Sequence, residues 1–348
     1  MPVTTVLGKI DGRDLGVTLP HEHLLIDLRG LVRKPDPAEN PAFYEKLNLE
    51  NLYRIKADPY ALEDNAIINE PSVAVQELIA YREAGGRSVV DVTPRSIGRD
   101  PLRLREISLR SGVHVVMGCG QYIAAAHEEK VSGSSVEDLA AEIIEEIRTG
   151  ADGTDVRAGV IGEIGTSEVI AEEELKCLRA AGIAAAETGK SVHVHTALFE
   201  QNGHRVCDEL MALGVAAEQI AVDHVDAKTN LEYVLSLLDR GVYVEFDNFG
   251  KEFQVPKDSR VLKASFDYDR VRADCLARLC EAGYTERILA ANDICLKHML
   301  RRYGGGGYGY LLTGIVPMMR DRGLTEKTIE TILVKNPQRF LCGKEAIK

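Results

Sequence analysis

At 348 residues, with 45% apolar and 28% charged side chains, the chain has the makeup of a globular protein that buries a large core, which excludes a disordered polypeptide. A formal net charge of −12, from 54 acidic against 42 basic residues, argues against a nucleic-acid or anionic-membrane surface as its main business. Seven scattered cysteines form no CxxC pair, and the start MPVTTVLGKIDGRDLG has no apolar leader; a cytoplasmic protein with free thiols, no membrane partner and no nucleic-acid partner is the expectation.

From Val17 onward, short runs rich in Val and Ile alternate with longer amphipathic stretches, the pattern of successive βα units. The predicted strands are Val17–Leu19, Ser88–Thr93, Val113–Gly118, Gly159–Glu163, Ser191–Thr196, Ile220–His224, Val242–Phe246 and Ile288–Asn292. Helical stretches lie between them, at about Ser72–Ala84, Pro101–Ser111, Ser135–Thr149, Ala171–Glu187, His204–Leu213, Thr229–Asp239, Tyr268–Ala282 and Tyr310–Arg322. This order predicts an α/β fold of the closed (β/α)8 type, a TIM barrel, formed by 1–348 as one domain. An open doubly wound sheet needs GxGxxG after its first strand, and none is present. The segment Asp27–Pro71, with its Pro-rich KPDPAENPAF, reads as a long insertion lying over the catalytic face. A last helix is predicted over Glu326–Val334, ending before a turn at Asn336–Pro337.

The first strand leads into Pro20-His21-Glu22-His23, which puts two imidazoles on one face of an extended chain. In a barrel that face points inward, and two neutral imidazoles there suit a borderline metal such as zinc. HxH alone is a weak signal. It gains weight because other strands also end in a ligand-type side chain: Glu163, His195, His224 and Asp293. Two cations sharing one site repel and need an anionic bridge, for which Glu163 is the natural choice. His21, His23 and Asp293 would then hold one ion and His195 and His224 the other. Two divalent ions about 3.5–4 Å apart lower the pKa of a shared water and polarise a substrate oxygen. Asp293 would carry the proton to the leaving group as the catalytic acid–base. Zinc comes first, with manganese, cobalt and iron as alternatives. His193, on the same strand face as His195, reads as a deeper supporting residue.

With these residues in place the chain resembles the phosphotriesterase-like family of the amidohydrolase superfamily over essentially its whole length. The matching motifs are LPHEH at Leu19–His23, RAGVIGEIGTSE at Arg157–Glu168, HTA at His195–Ala197, DH at Asp223–His224 and ND at Asn292–Asp293. GGYGYLL at Gly306–Leu312 and NPQRFL at Asn336–Leu341 add to them. Much of the family bridges its metals with a carboxylated lysine on the fourth strand. Here Glu163 stands there, as in the branch called phosphotriesterase homology proteins, which puts organophosphate hydrolysis in doubt. The resemblance implies hydrolysis of a small molecule: a lactone or carboxylic ester first, an amide as the alternative, and a homodimer.

Tyr122 matches a position where the family often has a tyrosine near the metal, and its hydroxyl is expected to contact substrate by orienting the carbonyl. Lys297, His298 and Arg301, in the loop after the eighth strand, are expected to contact substrate, the cations clamping an anionic group. A non-catalytic metal-binding barrel is the reading from another class; an intact set of ligands argues against it.

Overall fold

The computed structural model describes residues 2–256 and 264–343. The Val- and Ile-rich runs become the eight barrel strands, first to eighth: Thr18–Glu22, Ser88–Asp91, His114–Met117, Ile161–Gly165, Val192–His195, Ile220–Val222, Tyr243–Phe246 and Ile288–Ala290. Neighbours run parallel from the first to the third and from the fourth to the eighth. Two seams complete the ring. Between the third and fourth strands, the amides of Gly159 and Gly162 donate to the carbonyls of Met117 and Cys119 at 2.8 and 2.7 Å. Between the eighth and first, a side chain does the joining: the Glu22 carboxylate accepts the backbone N–H groups of Asn292 and Ile294, each at 2.9 Å. The result is the expected (β/α)8 barrel.

Helices such as Pro101–Ser111, Val136–Arg148 and Glu172–Thr188 cover the outside. Their ends follow local chemistry. Asp100 accepts the amide of Arg103 ahead of a Pro at the first turn, Ser135 and Asp138 form a reciprocal capping box, and Gly112 closes its helix at φ 69°. The predicted turn at Asn336–Pro337 does not occur. The helix Glu326–Glu330 passes through a π turn, Thr331–Lys335, into a further helix, Asn336–Cys342. A π turn changes the hydrogen-bond register, and Pro337 then sits in the first turn of the next segment, where its missing N–H costs nothing. Pro317 uses the same device after the π turn Leu311–Ile315.

The barrel interior is layered. Val90, Val116, Ala221 and Leu289 fill its N-terminal end together with Phe340 from the terminal helix, so the floor is apolar and closed. At the other end, the long segment after the first strand is tied off by Ile26–Asp27 pairing antiparallel with Ile67–Ile68. It has a small core of its own, Leu47, Ile55 and Leu62. Among the described residues, no helix is long and apolar enough to cross a membrane.

Candidate active site

Period-two alternation along the strands builds the site in layers. On the seventh strand Tyr243 belongs to the apolar floor, Glu245 meets His21 and His193, and Asp247, one residue past the strand, reaches His21 and His224. Above the floor is an ionic layer. His193 Nδ1 lies 3.0 Å from Glu245 and 3.3 Å from Asp223, with the Phe340 ring beneath it at 4.8 Å. Burial works against a charge on His193, but Glu245 and Asp223 outweigh it and lift its pKa to about 9. It is therefore an imidazolium and a counter-ion for the acids, which suits the deeper supporting role read from the sequence.

At the top of the barrel the six expected ligands meet. Glu163 is brought inward by a register shift in the fourth strand between Ile161 and Ile164. Gly162 makes the bend with φ 127°; a side chain there would strike the His193 carbonyl at 2.7 Å. Each carboxylate oxygen of Glu163 faces a different histidine. Oε1 is 3.4 Å from His23 Nε2, and Oε2 is 3.1 Å from His195 Nδ1. His21 Nε2 stands 3.6 Å from Oε2, and Asp293 Oδ1 is 3.1 Å from His23 Nε2. The nitrogens of His195 and His224 approach to 2.8 Å.

Supporting groups orient these rings. His224 Nδ1 donates to Asp247 at 2.9 Å, leaving Nε2 a lone pair aimed at the cluster. His23 Nδ1 is hydrogen-bonded to Thr93 Oγ1 at 2.8 Å, which turns Nε2 inward. Burial lowers the pKa of both His195 and His224, so these two imidazoles are neutral. His224 and Asp293 have left-handed backbones, φ 63° and 46°, a conformation that costs roughly 1–3 kcal/mol per residue and collects at functional sites. Asp247 holds the first by accepting the amide of His224 at 3.1 Å; the bonds from Glu22 to Asn292 and Ile294 hold the second.

The buried polar inventory matches a metal pair. His21 Nδ1 and Nε2 and Asp293 Oδ1 have no hydrogen-bond partner. The sets His21, His23, Glu163 and Glu163, His195, His224 each converge within 4.8 Å, with Glu163 common to both. The neutral imidazoles of His195 and His224 and the unpartnered nitrogens of His21, set around a shared carboxylate, suit two divalent cations.

A cavity of about 70 Å³ opens over this cluster. Tyr60, Ile26 and Leu28, from the segment after the first strand, form part of its wall. Tyr122 faces it too, with its hydroxyl 3.4 Å from His195 Nδ1. Two residues passed over in the sequence are prominent here. Lys251, buried in the loop after the seventh strand, puts its ammonium against Asp293 Oδ2. Asp247, which orients His224, ends the seventh strand as the ligands end theirs, so its signal was available; Lys251 lies in irregular chain and gave none.

The loop after the eighth strand departs from expectation. Lys297 is buried against Asp64 at 2.9 Å, away from the cavity. A buried ammonium goes to the nearest carboxylate, and the segment after the first strand supplies one. The His298 amide donates to Asn65 Oδ1 at 2.8 Å, and its ring faces a second, larger cavity. Arg301 is exposed, with its amide bound to Glu77 at 3.1 Å. None of the three lines the cavity over the cluster.

A protein named N-acetyltaurine hydrolase from Tetraodon nigroviridis is 37% identical over 345 residues, 98% of each chain. A resiniferatoxin-binding protein from Rhodobacter sphaeroides is 36% identical and superimposes with a TM-score of 0.93, covering 98% of this chain and 94% of its own. The phosphotriesterase homology protein from Escherichia coli, solved with phosphate in its active site, is 32% identical with a TM-score of 0.79, covering 94% and 99%. The profile of the phosphotriesterase family matches residues 1–341, and this chain, a hydrolase barrel with a buried cluster of histidines and carboxylates at its open end, belongs to that family.

Proposed function

We propose that the chain is a binuclear metal-dependent hydrolase of N-acyl amides. The observation that carries the metal pair is Glu163, which stands among all four histidines, with Oε1 3.4 Å from His23 and Oε2 within 4.0 Å of His21, His195 and His224. His21, His23 and Asp293 would hold one ion and His195 and His224 the other, with zinc the first choice for these donors. Two such ions would activate a water and polarise the scissile carbonyl.

The protein's own groups supply the rest. Amide hydrolysis moves one proton from the attacking water to the departing nitrogen as the C–N bond breaks. Asp293 is the carboxylate placed to carry it. Burial opposes its charge, but the Lys251 ammonium and the hydrogen bond with His23 hold its pKa well below the carboxylate range, so it stands as a carboxylate. Asp293 in turn keeps Lys251 charged despite burial. Burial holds the Tyr122 phenol protonated, so its O–H donates toward a substrate oxygen in the cavity.

The amide reading is favoured over a lactone or carboxylic ester by the name that relatives of this identity and coverage carry. Kinetics of the zinc-loaded protein on N-acetylated amino acids and aminosulfonates, beside lactones and carboxylic esters, tests it. Amide turnover with kcat/KM at least about tenfold above the rest supports the proposal. Turnover confined to lactones or esters replaces the amide while keeping the metal pair.

A further inference from the structure

Two phenols line the reaction cavity, and they differ in what they meet. The Tyr122 hydroxyl leans on His195, whereas the Tyr60 hydroxyl has no hydrogen-bond partner among the described residues. Lys251 is short of acceptors too. Its ammonium carries three N–H donors, and among the described residues Asp293 is the one acceptor it meets. Burial keeps the Tyr60 phenol protonated, and Lys251 and Asp293 stand close enough to act on it. Polar groups taken out of water are nearly always hydrogen-bonded, so open O–H and N–H donors on one side of a cavity call for a ligand that brings the acceptors.

Tyr60 comes from the segment after the first strand, and its backbone is fixed at two points. Asp58 Oδ1 accepts the Tyr60 amide at 3.0 Å. Asn65, wholly buried, donates its side-chain N–H to the Pro59 carbonyl at 2.7 Å, and its Oδ1 accepts the His298 amide at 2.8 Å. Pro59 directly precedes Tyr60, so one amide side chain ties the phenol's backbone to the loop after the eighth strand. The His298 ring faces the outer cavity of about 420 Å³, which no member of the histidine and carboxylate cluster lines. His298 therefore bears on the reaction cavity through Asn65.

We infer that Tyr60, together with Lys251, grips an acidic group on the amine part of the substrate, and that Asn65 is the residue that positions Tyr60 to do so. This rests on the hydrolase reading above. The end of the substrate follows from the proton path: Asp293 serves the departing nitrogen, and Tyr60 and Lys251 stand on the Asp293 side, while Tyr122 stands beside His195. A phenol O–H next to an ammonium N–H suits an anionic oxygen group, carboxylate or sulfonate. The anion clamp that the sequence placed on Lys297 and Arg301 thus falls to side chains from two other loops.

The experiment measures kcat/KM of the zinc-loaded protein for N-acetyltaurine, N-acetyl-β-alanine and the uncharged N-ethylacetamide. It uses wild type, Tyr60→Phe, Asn65→Ala and the double variant, with thermal melts confirming that each is folded. Wild type should prefer at least one acid over N-ethylacetamide by about a hundredfold, and the better acid identifies the group. Tyr60→Phe should cut that preference about tenfold, the scale of one hydrogen bond to a charged group. Asn65→Ala should cut it by a similar factor alone and by nothing further in the double variant, because a residue acting through Tyr60 has no effect once the hydroxyl is gone. If Asn65→Ala does not fold, Asn65→Asp, which keeps the acceptor for His298 and loses the donor to Pro59, replaces it. No preference for either acid in wild type, or an unchanged preference in Tyr60→Phe, overturns the grip; additive losses in the double variant overturn the positioning role of Asn65. Should none of the three compounds turn over, the amide reading fails, and calorimetry of the two acids with zinc-loaded wild type and Tyr60→Phe still reads the grip. Binding that weakens about tenfold in the variant retains it; equal affinity, or none, rejects it.

Discussion

The loops after the seventh and eighth strands both carry lysines near the open end of the barrel, and the structure uses them in opposite ways. Lys251 turns inward onto Asp293 and faces the reaction cavity. Lys297 turns outward onto Asp64 and clamps the segment after the first strand to the barrel, with Lys46 sharing the same carboxylate at 2.7 Å. Both ammonium groups are almost wholly buried, so burial does not separate the cation that faces the cavity from the one that clamps the segment. The partner does. A buried lysine is defined by the carboxylate it meets, and only one of these two carboxylates faces the histidine cluster.

This contrast can be broken by substitution, beginning where the effect is largest. Asp293→Asn removes both a ligand and the proton carrier, and kcat/KM should fall by about 10³-fold or more while circular dichroism stays native. Retained turnover would remove Asp293 from the chemistry. Lys251→Met should cost about 10²-fold in kcat/KM, the scale for losing one charged group beside the reacting atoms. In chelator it should also lower stability, because Asp293 loses its cation, and added zinc should restore much of that loss. Lys297→Met should act in the other direction, on stability more than on rate. Urea titration should show a loss of about 2 kcal/mol, below the usual figure for a broken buried pair because Lys46 and the Leu47 amide still serve Asp64. A fall in kcat/KM comparable to that of Lys251→Met would erase the distinction.

The smallest effect concerns pH. His298 has a pKa of about 4 when folded against 6.5 for a free imidazole. The unfolded chain therefore binds the extra proton first, so the stability that this group contributes is complete above the unfolded value and drains away as pH falls toward the folded one. Between pH 7 and 5 wild type should lose on the order of 1–2 kcal/mol that His298→Leu does not lose. Parallel stability curves for the two proteins would show that His298 is not held neutral.

How far the sequence was legible follows the same division. That His21, His23, Glu163, His195, His224 and Asp293 gather at one end of the barrel could be read because a regular element fixes where its last side chain points. Lys297 and Arg301 were misplaced because a loop cation is positioned by tertiary partners, here Asp64 and Glu77, that lie far off in the chain. Lys251 went unnoticed for the same reason. Pro337 was read as a stop because local rules do not foresee a π turn that moves a proline to a tolerated position. The segment Asp27–Pro71 was recognised by composition as an interruption, but its contribution of Tyr60 to the cavity wall and Leu52 to the outer cavity came only with the fold.

The most direct test of a Glu163-bridged metal pair is the metal content of purified protein by plasma emission spectrometry, wild type beside Glu163→Ala. About two ions per chain, falling sharply in the variant, is the expected result. A metal-free wild type under zinc-replete conditions, or an unchanged content in Glu163→Ala, would contradict it.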